Sequence, residues 1–282
     1  MKNKISILFI ATSFLFVLSS PQLSLASPEK RVALVIGNAE YRFSPLSNPA
    51  NDADDMAAAL QQCGFSVIKT INATRKEMRR SIRKFGQEIA DEDAVGLFYY
   101  SGHAIQVDGE NYMIPIGASV YAQDEIEDEC LRVSAVLRKM ETASNKLNII
   151  ILDACRDNPF GRGFRTGTSG LAKMDAPVGS IYAFSTAPGS VAADGAGRNG
   201  LYTSVLLEHI LTPGLEIGQL FRLVRVEVMA ASNYNQVPWE SSSLTGSFFF
   251  NPGRGIAVTD RPAYSPPKTR KKKERIIPLP TF

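Results

Sequence analysis

The feature that most constrains the fold of this chain is a series of apolar, β-branched segments separated by stretches with helical periodicity. Segments this apolar are typical of strands buried on both faces of a sheet, whereas apolar residues three or four positions apart mark one face of a helix. Strands and helices that alternate in this way form a mainly parallel sheet covered by helices on both faces. We therefore expect an α/β fold of three layers (α/β/α) around a mainly parallel, six-stranded sheet. The expected strands are residues 31–38, 65–70, 93–104, 148–155, 180–187 and 246–250.

The helices between these strands carry recognisable start and stop signals. Asn48 and Pro49 open the first helix and Gly64 ends it, while Thr74 is a candidate cap for the second. Further helices are expected near residues 133–140, 200–211 and 215–231. The Asp-Gly pair at 108–109 predicts a tight hairpin between two short strands.

The two ends of the chain differ in composition from its middle. Two lysines, an apolar segment (5–18) and small residues up to Ala26 are typical of a cleaved secretion signal, so we expect residues 1–26 to be removed and the mature protein to be periplasmic or secreted. The segment is short for a membrane span, and we expect no stable span after cleavage; a retained N-terminal anchor is the alternative.

Residues 27–251 are long enough for one α/β domain with a substantial core. Residues 252–282 carry eight Lys or Arg and two acids, so the basic balance of the chain belongs to this tail. We expect a disordered, solubilising tail; a contact with anionic lipid, wall polymer or nucleic acid is the weaker alternative, and no nucleic-acid partner is predicted.

Three cysteines and two histidines are the residues that bear most directly on chemistry. Three cysteines outside the cytoplasm leave at least one thiol unpaired within the chain. Cys63 and Cys130 could form a disulfide or be two inert thiols. Because no Cys-x-x-Cys spacing occurs and histidines are few, we expect no metal site and no cofactor required for chemistry.

His103 and Cys155 stand at the ends of two consecutive long strands. Strands joined by one helical crossover usually lie side by side, and ligands of parallel sheets gather at the carboxyl ends of the strands. A thiol that attacks an amide must lose a proton and the departing amine must gain one, and an imidazole serves both needs. The pair therefore predicts a nucleophile, Cys155, and an acid/base, His103. Taken singly, each has a plain structural alternative, a small buried hydrophobe and a packed histidine.

Several motifs resemble the caspase-like cysteine peptidases, in particular their paracaspase and metacaspase branches, and identify the chain as a secreted member of bacterial type. The resemblance extends over most of residues 31–250, and the histidine precedes "DACRD" by about the spacing of caspases. The resemblance implies the caspase-like form of the three-layer fold, a Cys-His endopeptidase, and a peptide or protein substrate. The motifs are "ALVIGN" (33–38), "YYSGH" (99–103), "IIILDACRDNPF" (149–160), "FSTAPGSVAADG" (184–195) and "GLYTSVLLEHI" (200–210).

Asp153 stands where caspases have Gln, which is the change found in the branches that cut after Arg or Lys. The same resemblance implies that Asp52 and Asp194 complete an acidic substrate pocket. Convergent carboxylates supply the charge and acceptors that a guanidinium requires and would repel an acidic side chain. Each has an alternative role: Asp52 at a helix N-terminus, Asp194 in a turn, and Asp153 as a cap.

Ala104 replaces the Gly that usually follows the histidine in the family. The resemblance implies that its backbone N–H and that of Cys155 form the oxyanion hole, and alanine keeps the N–H. A positive φ at this position would make alanine costly. A relative that binds peptides or partner proteins without efficient cleavage is therefore the alternative function.

Four further expectations concern regulation and substrate contact. Self-cleavage is expected in the Gly-rich loop after the nucleophile, at Arg162, Arg165 or Lys173. Calcium dependence is a hypothesis that rests on the acidic segment 124–129, for which solvation is the simpler role. Trp239 either lines the substrate cleft or packs against the domain. His209 is expected to pack at the edge of the core.

Overall fold

A computed structural model of the chain describes residues 29–91, 93–155, 171–187 and 197–253, and of Cys155 it describes the backbone. The strands are β1 (Arg31–Gly37), β2 (Ser66–Ile71), β3 (Val95–Val107), β4 (Glu110–Met113), β5 (Leu131–Arg132), β6 (Leu147–Cys155), β7 (Ser180–Phe184) and β8 (Trp239–Ser242). The helices are α1 (Pro49–Gln62), α2 (Arg75–Glu88), α3 (Ile126–Glu129), α4 (Val133–Ala143), α5 (Leu201–His209) and α6 (Ile217–Ala231). Within these described ranges, no helix combines the length and apolar character needed to cross a membrane.

Six strands form the main sheet in the order β2-β1-β3-β6-β7-β8. Neighbouring strands are parallel from β2 through β7, and β8 is the antiparallel edge strand. The sequence-based prediction of a mainly parallel, six-stranded sheet is confirmed. Because the strands from β2 to β7 are parallel, the loops that follow β1, β3 and β6 all emerge at one edge of the sheet.

Helices cover both faces of this sheet, as predicted. On one face, α1, α5 and α6 pack on the sheet through a large apolar cluster that includes Met56, Leu206 and Val224. On the other face, α2 and α4 form a second cluster that includes Phe85 and Val136. The three layers place the amino end of α5 and the amino end of α1 on the same face, beside the carboxyl edge of the sheet.

Local signals account for the ends of the first two helices. Pro49 occupies the first turn of α1, where its missing N–H costs no hydrogen bond. Thr74 caps α2 in a capping box, because its hydroxyl accepts from the backbone N–H of Glu77 while the Glu77 carboxylate accepts from the N–H of Thr74.

Strand β3 is longer than predicted and leaves the main sheet at its end. Its last residues pair antiparallel with β4, which in turn pairs with β5. Asp108 and Gly109 both have positive φ (49° and 81°), the conformation of the tight turn that the Asp-Gly pair predicts. This small antiparallel extension begins directly beside His103.

The expected strand at 246–250 is wrong, since the edge strand is instead β8. Phe248 and Phe250 are buried in the α1/α5/α6 core, and between them Phe249 makes one isolated bridge to Glu216. The carbonyls of Phe249 and Phe250 accept hydrogen bonds from the Arg31 guanidinium (3.1 and 2.9 Å). The apolar segment therefore serves as packing against the helices, and a guanidinium satisfies carbonyls that a neighbouring strand would otherwise have bonded.

Candidate active site

The carboxyl ends of β3 and β6 bring the two predicted catalytic positions side by side. The parallel register pairs His103 with Cys155, and two residues earlier it pairs Ser101 with Asp153. Adjacent strands lie about 4.8 Å apart, so residues in register at two strand ends are within the width of one peptide group. The backbone thus places both positions at one point of the sheet edge; the thiol itself lies outside the described atoms.

The imidazole of His103 is buried, and its orientation is set by the loop that follows β1. Nε2 lies 2.8 Å from the backbone carbonyl oxygen of Ser44. A carbonyl oxygen only accepts hydrogen bonds, so Nε2 carries the proton and Nδ1 is the basic nitrogen of the neutral ring. The ring of Tyr41 packs against the imidazole with 4.5 Å between centroids.

Ala104 follows the histidine in ordinary strand geometry. It is not among the described non-glycine residues with positive φ, so alanine is accommodated without backbone strain. The N–H of Ile114 donates to the carbonyl of His103 (3.0 Å), which makes the next pair, Ala104 and Met113, the kind without mutual hydrogen bonds. The N–H of Ala104 therefore points away from β4 and is not used by that ladder.

Asp52 and Asp153 approach the same point from different elements. Asp52, on α1, is 2% exposed and accepts hydrogen bonds from the Ser101 hydroxyl (2.9 Å) and the Gly200 N–H (2.9 Å). Asp153, near the end of β6, accepts from the Thr203 hydroxyl (2.6 Å) on α5. A Cβ placed on Gly200 would lie 3.4 Å from a carboxylate oxygen of each aspartate, so both face the amino end of α5.

The closeness of the two carboxylates perturbs their titration. Burial, followed by repulsion from Asp153, raises the pKa of Asp52 from 3.8 to about 7. Hydrogen bonds from Gly200, Ser101 and Asn199 oppose this rise without cancelling it. Among the described residues, the groups that act most strongly on Asp52 include no cation. A bound guanidinium or ammonium would favour the ionised form, since an opposite charge nearby lowers a carboxyl pKa.

The segment that leads into α5 is fastened to α1 next to this pair. The Arg198 guanidinium donates to both carboxylate oxygens of Asp55 (2.8 and 3.0 Å), and the Asn199 amide donates to the same carboxylate (3.0 Å). The hydrogen bond from Arg198 lowers the pKa of Asp55. One helical turn therefore carries two aspartates with opposite titration behaviour: Asp52, buried beside another acid, and Asp55, paired with a base.

Three predicted site residues lie outside the described residues, namely Asp194, Arg162 and Arg165. Lys173 is described; it is 65% exposed in its side chain and lies 3.3 Å from Asp175. The structure thus brings together His103, the backbone of Cys155, Asp52 and Asp153. Of the self-cleavage candidates it describes only Lys173, whose side chain is exposed.

Cys63 and Cys130 are both free and buried, and each belongs to a different apolar cluster. They do not form the disulfide that the sequence left open. Burial raises the pKa of the Cys63 thiol to about 11 and that of the Cys130 thiol to about 12. Since the thiolate is the reactive form, both cysteines are inert at neutral pH.

The structure also places Trp239, whose role the sequence left open, and His209, which was expected to pack at the edge of the core. Trp239 begins β8 opposite Phe184 and is 42% exposed. His209 ends α5 and is partly buried, with Nε2 2.8 Å from a Glu227 carboxylate oxygen on α6. Together with His209 and Glu227, Glu208 forms a group of three potential metal ligands. This group lies at the carboxyl end of α5, whereas Thr203 lies near its amino end.

Sequence reasoning missed the groups that hold the predicted residues in place. The carbonyl of Ser44 could not be singled out because every residue has one. Ser101 and Thr203 carried a signal, since a hydroxyl beside a buried carboxylate is its natural donor, and both lie in the motifs "YYSGH" and "GLYTSVLLEHI". Tyr41 could not be singled out because it lies in the β1–α1 loop and its contacts are with distant residues of β3 and with Ile114.

Comparison with known proteins gives a consistent picture. The sequence profile of the family described as "Caspase domain" matches residues 30–249. The chain is 35% identical over 127 residues to the human "Mucosa-associated lymphoid tissue lymphoma translocation protein 1", covering 45% of this chain and 15% of that protein. It is 25% identical over 252 residues to rat "Caspase-1", covering 79% of this chain and 60% of that protein, and 27% identical over 130 residues to zebrafish "Caspase b", covering 45% and 31%. The chain therefore spans less than two thirds of the length of each of these relatives.

Proposed function

The chain belongs to the caspase-domain family of peptidases, and from that membership we propose that it is a cysteine endopeptidase that cleaves peptide bonds after Arg or Lys. The observation that carries the proposal is the register of β3 and β6. It sets His103 beside Cys155, with Asp153 two residues before the cysteine. Two adjacent strand ends thus combine the residue types needed for nucleophilic attack with a carboxylate for a basic side chain.

The first chemical step is acylation of Cys155. Its sulfur attacks the carbonyl carbon of the scissile bond as the thiol proton passes to Nδ1 of His103, the nitrogen left basic by the Nε2 contact with Ser44. The imidazolium then protonates the departing amine as the C–N bond breaks. Water attacks the thioester with the same imidazole as base, which releases the acid product and restores the thiol.

The negative oxygen of the tetrahedral intermediate requires hydrogen-bond donors. We assign this role to the backbone N–H groups of Ala104 and Cys155. Support for the first comes from its position next to His103 and from its N–H, which points away from β4, toward the end of β6. The absence of a positive φ at Ala104 removes the objection that alanine would distort the site.

The preference for basic residues rests on Asp52 and Asp153, with Asp194 as a third expected member. Two carboxylates that face one point repel each other, and a substrate cation placed between them relieves this repulsion. A guanidinium or ammonium is the side-chain group that offers this gain. An acidic side chain would add a further like charge and be rejected.

Fluorogenic peptides that differ only in the residue before the cut test this proposal. Wild type should release dye from Arg and Lys peptides and leave the Asp peptide intact, and Cys155→Ala should abolish release. Asp153→Asn should reduce cleavage of basic peptides far more than Thr142→Ala, a surface control on α4. Equal release by wild type and Cys155→Ala would refute catalysis and leave the peptide-binding alternative. A strong Asp peptide signal would refute the specificity.

Self-cleavage after Arg162, Arg165 or Lys173 is part of the same proposal. The exposed side chain of Lys173 supports it for that position. Mass spectrometry of wild type and Cys155→Ala, both purified at full length, measures it directly. An intact 156–174 segment in an enzyme that cleaves peptides would eliminate self-processing and leave peptidase activity standing.

We also propose that the mature protein acts in the periplasm or outside the cell, on the strength of the signal-like residues 1–26. N-terminal sequencing of protein recovered from cell fractions tests this, and an unprocessed cytoplasmic chain would contradict it. The chemistry described above uses no metal. Peptide cleavage with calcium and with a chelator tests whether the acidic segment 124–129 binds calcium in a way that alters activity.

A further inference from the structure

Just beyond the β3–β4 ladder, which begins with Ala104 and Met113, the pair His103–Ile114 has an unusual hydrogen-bond pattern. In a regular pair of this kind, two residues exchange both N–H···O bonds. Here the N–H of Ile114 donates directly to the carbonyl of His103 (3.0 Å), but the return bond is absent. The N–H of His103 instead donates to the phenolic oxygen of Tyr41 (3.0 Å), whose hydroxyl donates to the carbonyl of Ile114 (3.1 Å).

The phenol of Tyr41 is therefore inserted into the ladder where a backbone hydrogen bond would stand. One oxygen atom therefore separates the His103 N–H from the Ile114 carbonyl, while the other bond of the same pair stays direct at 3.0 Å. A second phenol fixes the other side of the same residue, since the Tyr100 hydroxyl donates to the carbonyl of His103 (2.7 Å). Both tyrosines are buried, so water does not compete for these bonds.

Gly102 shows that the chain is built around this insertion. Its φ is +152°, and a Cβ on it would lie 2.7 Å from the phenolic oxygen of Tyr41 and 2.9 Å from that of Tyr100. A side chain here would displace both phenols. The glycine before the histidine is thus required by the two hydroxyl groups that surround it.

The same tyrosine also reaches the imidazole. The ring of Tyr41 packs on that of His103, inclined at 52°, and three residues later the carbonyl of Ser44 receives Nε2–H. One loop therefore holds the backbone of His103 through a hydroxyl and its side chain through a ring face and a carbonyl. Removing the hydroxyl would release the backbone while leaving the ring contact available.

We infer that Tyr41 is a positioning residue for the proposed acid/base: its hydroxyl takes the place of one backbone hydrogen bond between His103 and Ile114 and thereby sets where the imidazole lies relative to the end of β6. This inference rests on the proposed function of His103 and adds to it a residue outside the cysteine, histidine and aspartates. Its chemical basis is a single inserted oxygen atom, which makes Tyr41→Phe the informative substitution. A misplacement of about 1 Å in a catalytic group lowers rates by about 100-fold.

The test uses the full-length protein and compares Tyr41→Phe with Tyr182→Phe. Tyr182 lies on β7 in a different apolar cluster from Tyr41, and Tyr182→Phe removes the same hydroxyl from a buried ring. Tyr41→Phe should lower kcat on a basic peptide by 10- to 100-fold with KM within twofold of wild type, whereas Tyr182→Phe should leave both within twofold. A wild-type kcat for Tyr41→Phe would overturn the inference.

A spectroscopic readout separates this inference from the proposed activity. The chain has two histidines, so ¹⁵N-histidine labelling gives two imidazole signals, and His209→Gln assigns them. Tyr41→Phe should shift the ring-nitrogen signals of His103 and leave those of His209 unchanged. Unmoved signals would overturn the inference even if the enzyme proved active. If wild type cleaves no basic peptide, the proposed function fails while this measurement still tests the placement of the ring.

Hydrogen exchange on the wild-type protein covers the case in which Tyr41→Phe does not fold. The amide proton of His103 should exchange as slowly as that of Ile114, because both are bonded in the same buried ladder. Exchange of the His103 amide at the rate of an unprotected residue would overturn the inserted hydrogen bond.

Discussion

Ionised Asp52 should lower the stability of the folded protein at neutral and alkaline pH, and Asp52→Asn should recover that stability. The carboxyl is 2% exposed and faces Asp153, and together these effects raise its pKa from 3.8 to about 7. Between those two pH values the folded protein keeps a proton that the unfolded chain has already lost. The free energy of unfolding therefore falls as pH rises through this window.

The size of the effect follows from the shift. About three pKa units at about 1.36 kcal/mol each correspond to a loss of at most about 4 kcal/mol in the free energy of unfolding between pH 4 and pH 8. Asparagine does not ionise, so Asp52→Asn removes this loss of stability. The variant also loses the charge-assisted hydrogen bonds from Ser101 and Gly200, which lowers its stability by about 1–2 kcal/mol. We expect Asp52→Asn to match or fall below wild type at pH 5 and to exceed it by about 2 kcal/mol at pH 8.

Urea unfolding followed by far-UV circular dichroism at pH 5, 6, 7 and 8 measures this difference. Asp55→Asn is the matched control, since Asp55 lies on the same helix but has its pKa lowered by Arg198. The ion pair between Asp55 and Arg198 is fully formed from pH 5 to pH 8, because it weakens only as pH falls through the lowered pKa of Asp55. Asp55→Asn should therefore be less stable than wild type by the same amount at all four pH values. If Asp52→Asn is also less stable than wild type by the same amount at every pH, a raised pKa of Asp52 does not control the stability.

Four further outcomes are expected. KM for Arg peptides should fall as pH rises through about 7, and a KM that is flat between pH 5.5 and 8 would contradict an ionising pocket. Thr203→Val should lower kcat/KM for Arg peptides by about tenfold, the value of one hydrogen bond to a charged group, while Thr203→Ser should retain activity. Iodoacetamide at pH 8 should alkylate Cys155 in the folded protein, and Cys63 and Cys130 only after unfolding. Peptide mapping that finds all three cysteines equally labelled in the folded protein would contradict this prediction. Gly102→Ala should lower the free energy of unfolding by at least about 2 kcal/mol in urea titrations, and an unchanged midpoint would show that the phenols can move.

Much of the fold could be predicted because its determinants are local or periodic. The apolar segments of β1, β3 and β6 have the composition of buried parallel strands, and consecutive strands joined by helices tend to be neighbours. That rule was enough to anticipate that His103 and Cys155 meet. The acids were harder to judge, because Asp52, Asp54 and Asp55 are equally suited to the first turns of a helix, and only tertiary packing shows which one is buried.

The failures share a physical origin in contacts that no local pattern encodes. The segment 246–250 has the composition of a strand, yet the side chains of Phe248 and Phe250 gain more by packing into the helix-covered core than by extending the sheet. Tyr41 and Ser44 belong to a loop without periodicity, and their roles come from a hydroxyl and a carbonyl that point at His103. Such roles become visible only once coordinates fix the path of the loop.

The parallel pairing of β6 with β7 has a consequence for the protein after any cut between them. Five ladder pairs, from Asn148 with Ser180 to Leu152 with Phe184, join strands that lie on either side of residues 156–170. Helices α5 and α6, which follow β7, share one apolar core with α1, which precedes β6. A cleaved molecule would therefore give two bands in denaturing electrophoresis. In native buffer it would elute as one particle from a size-exclusion column, because the sheet and the shared core hold the two fragments together.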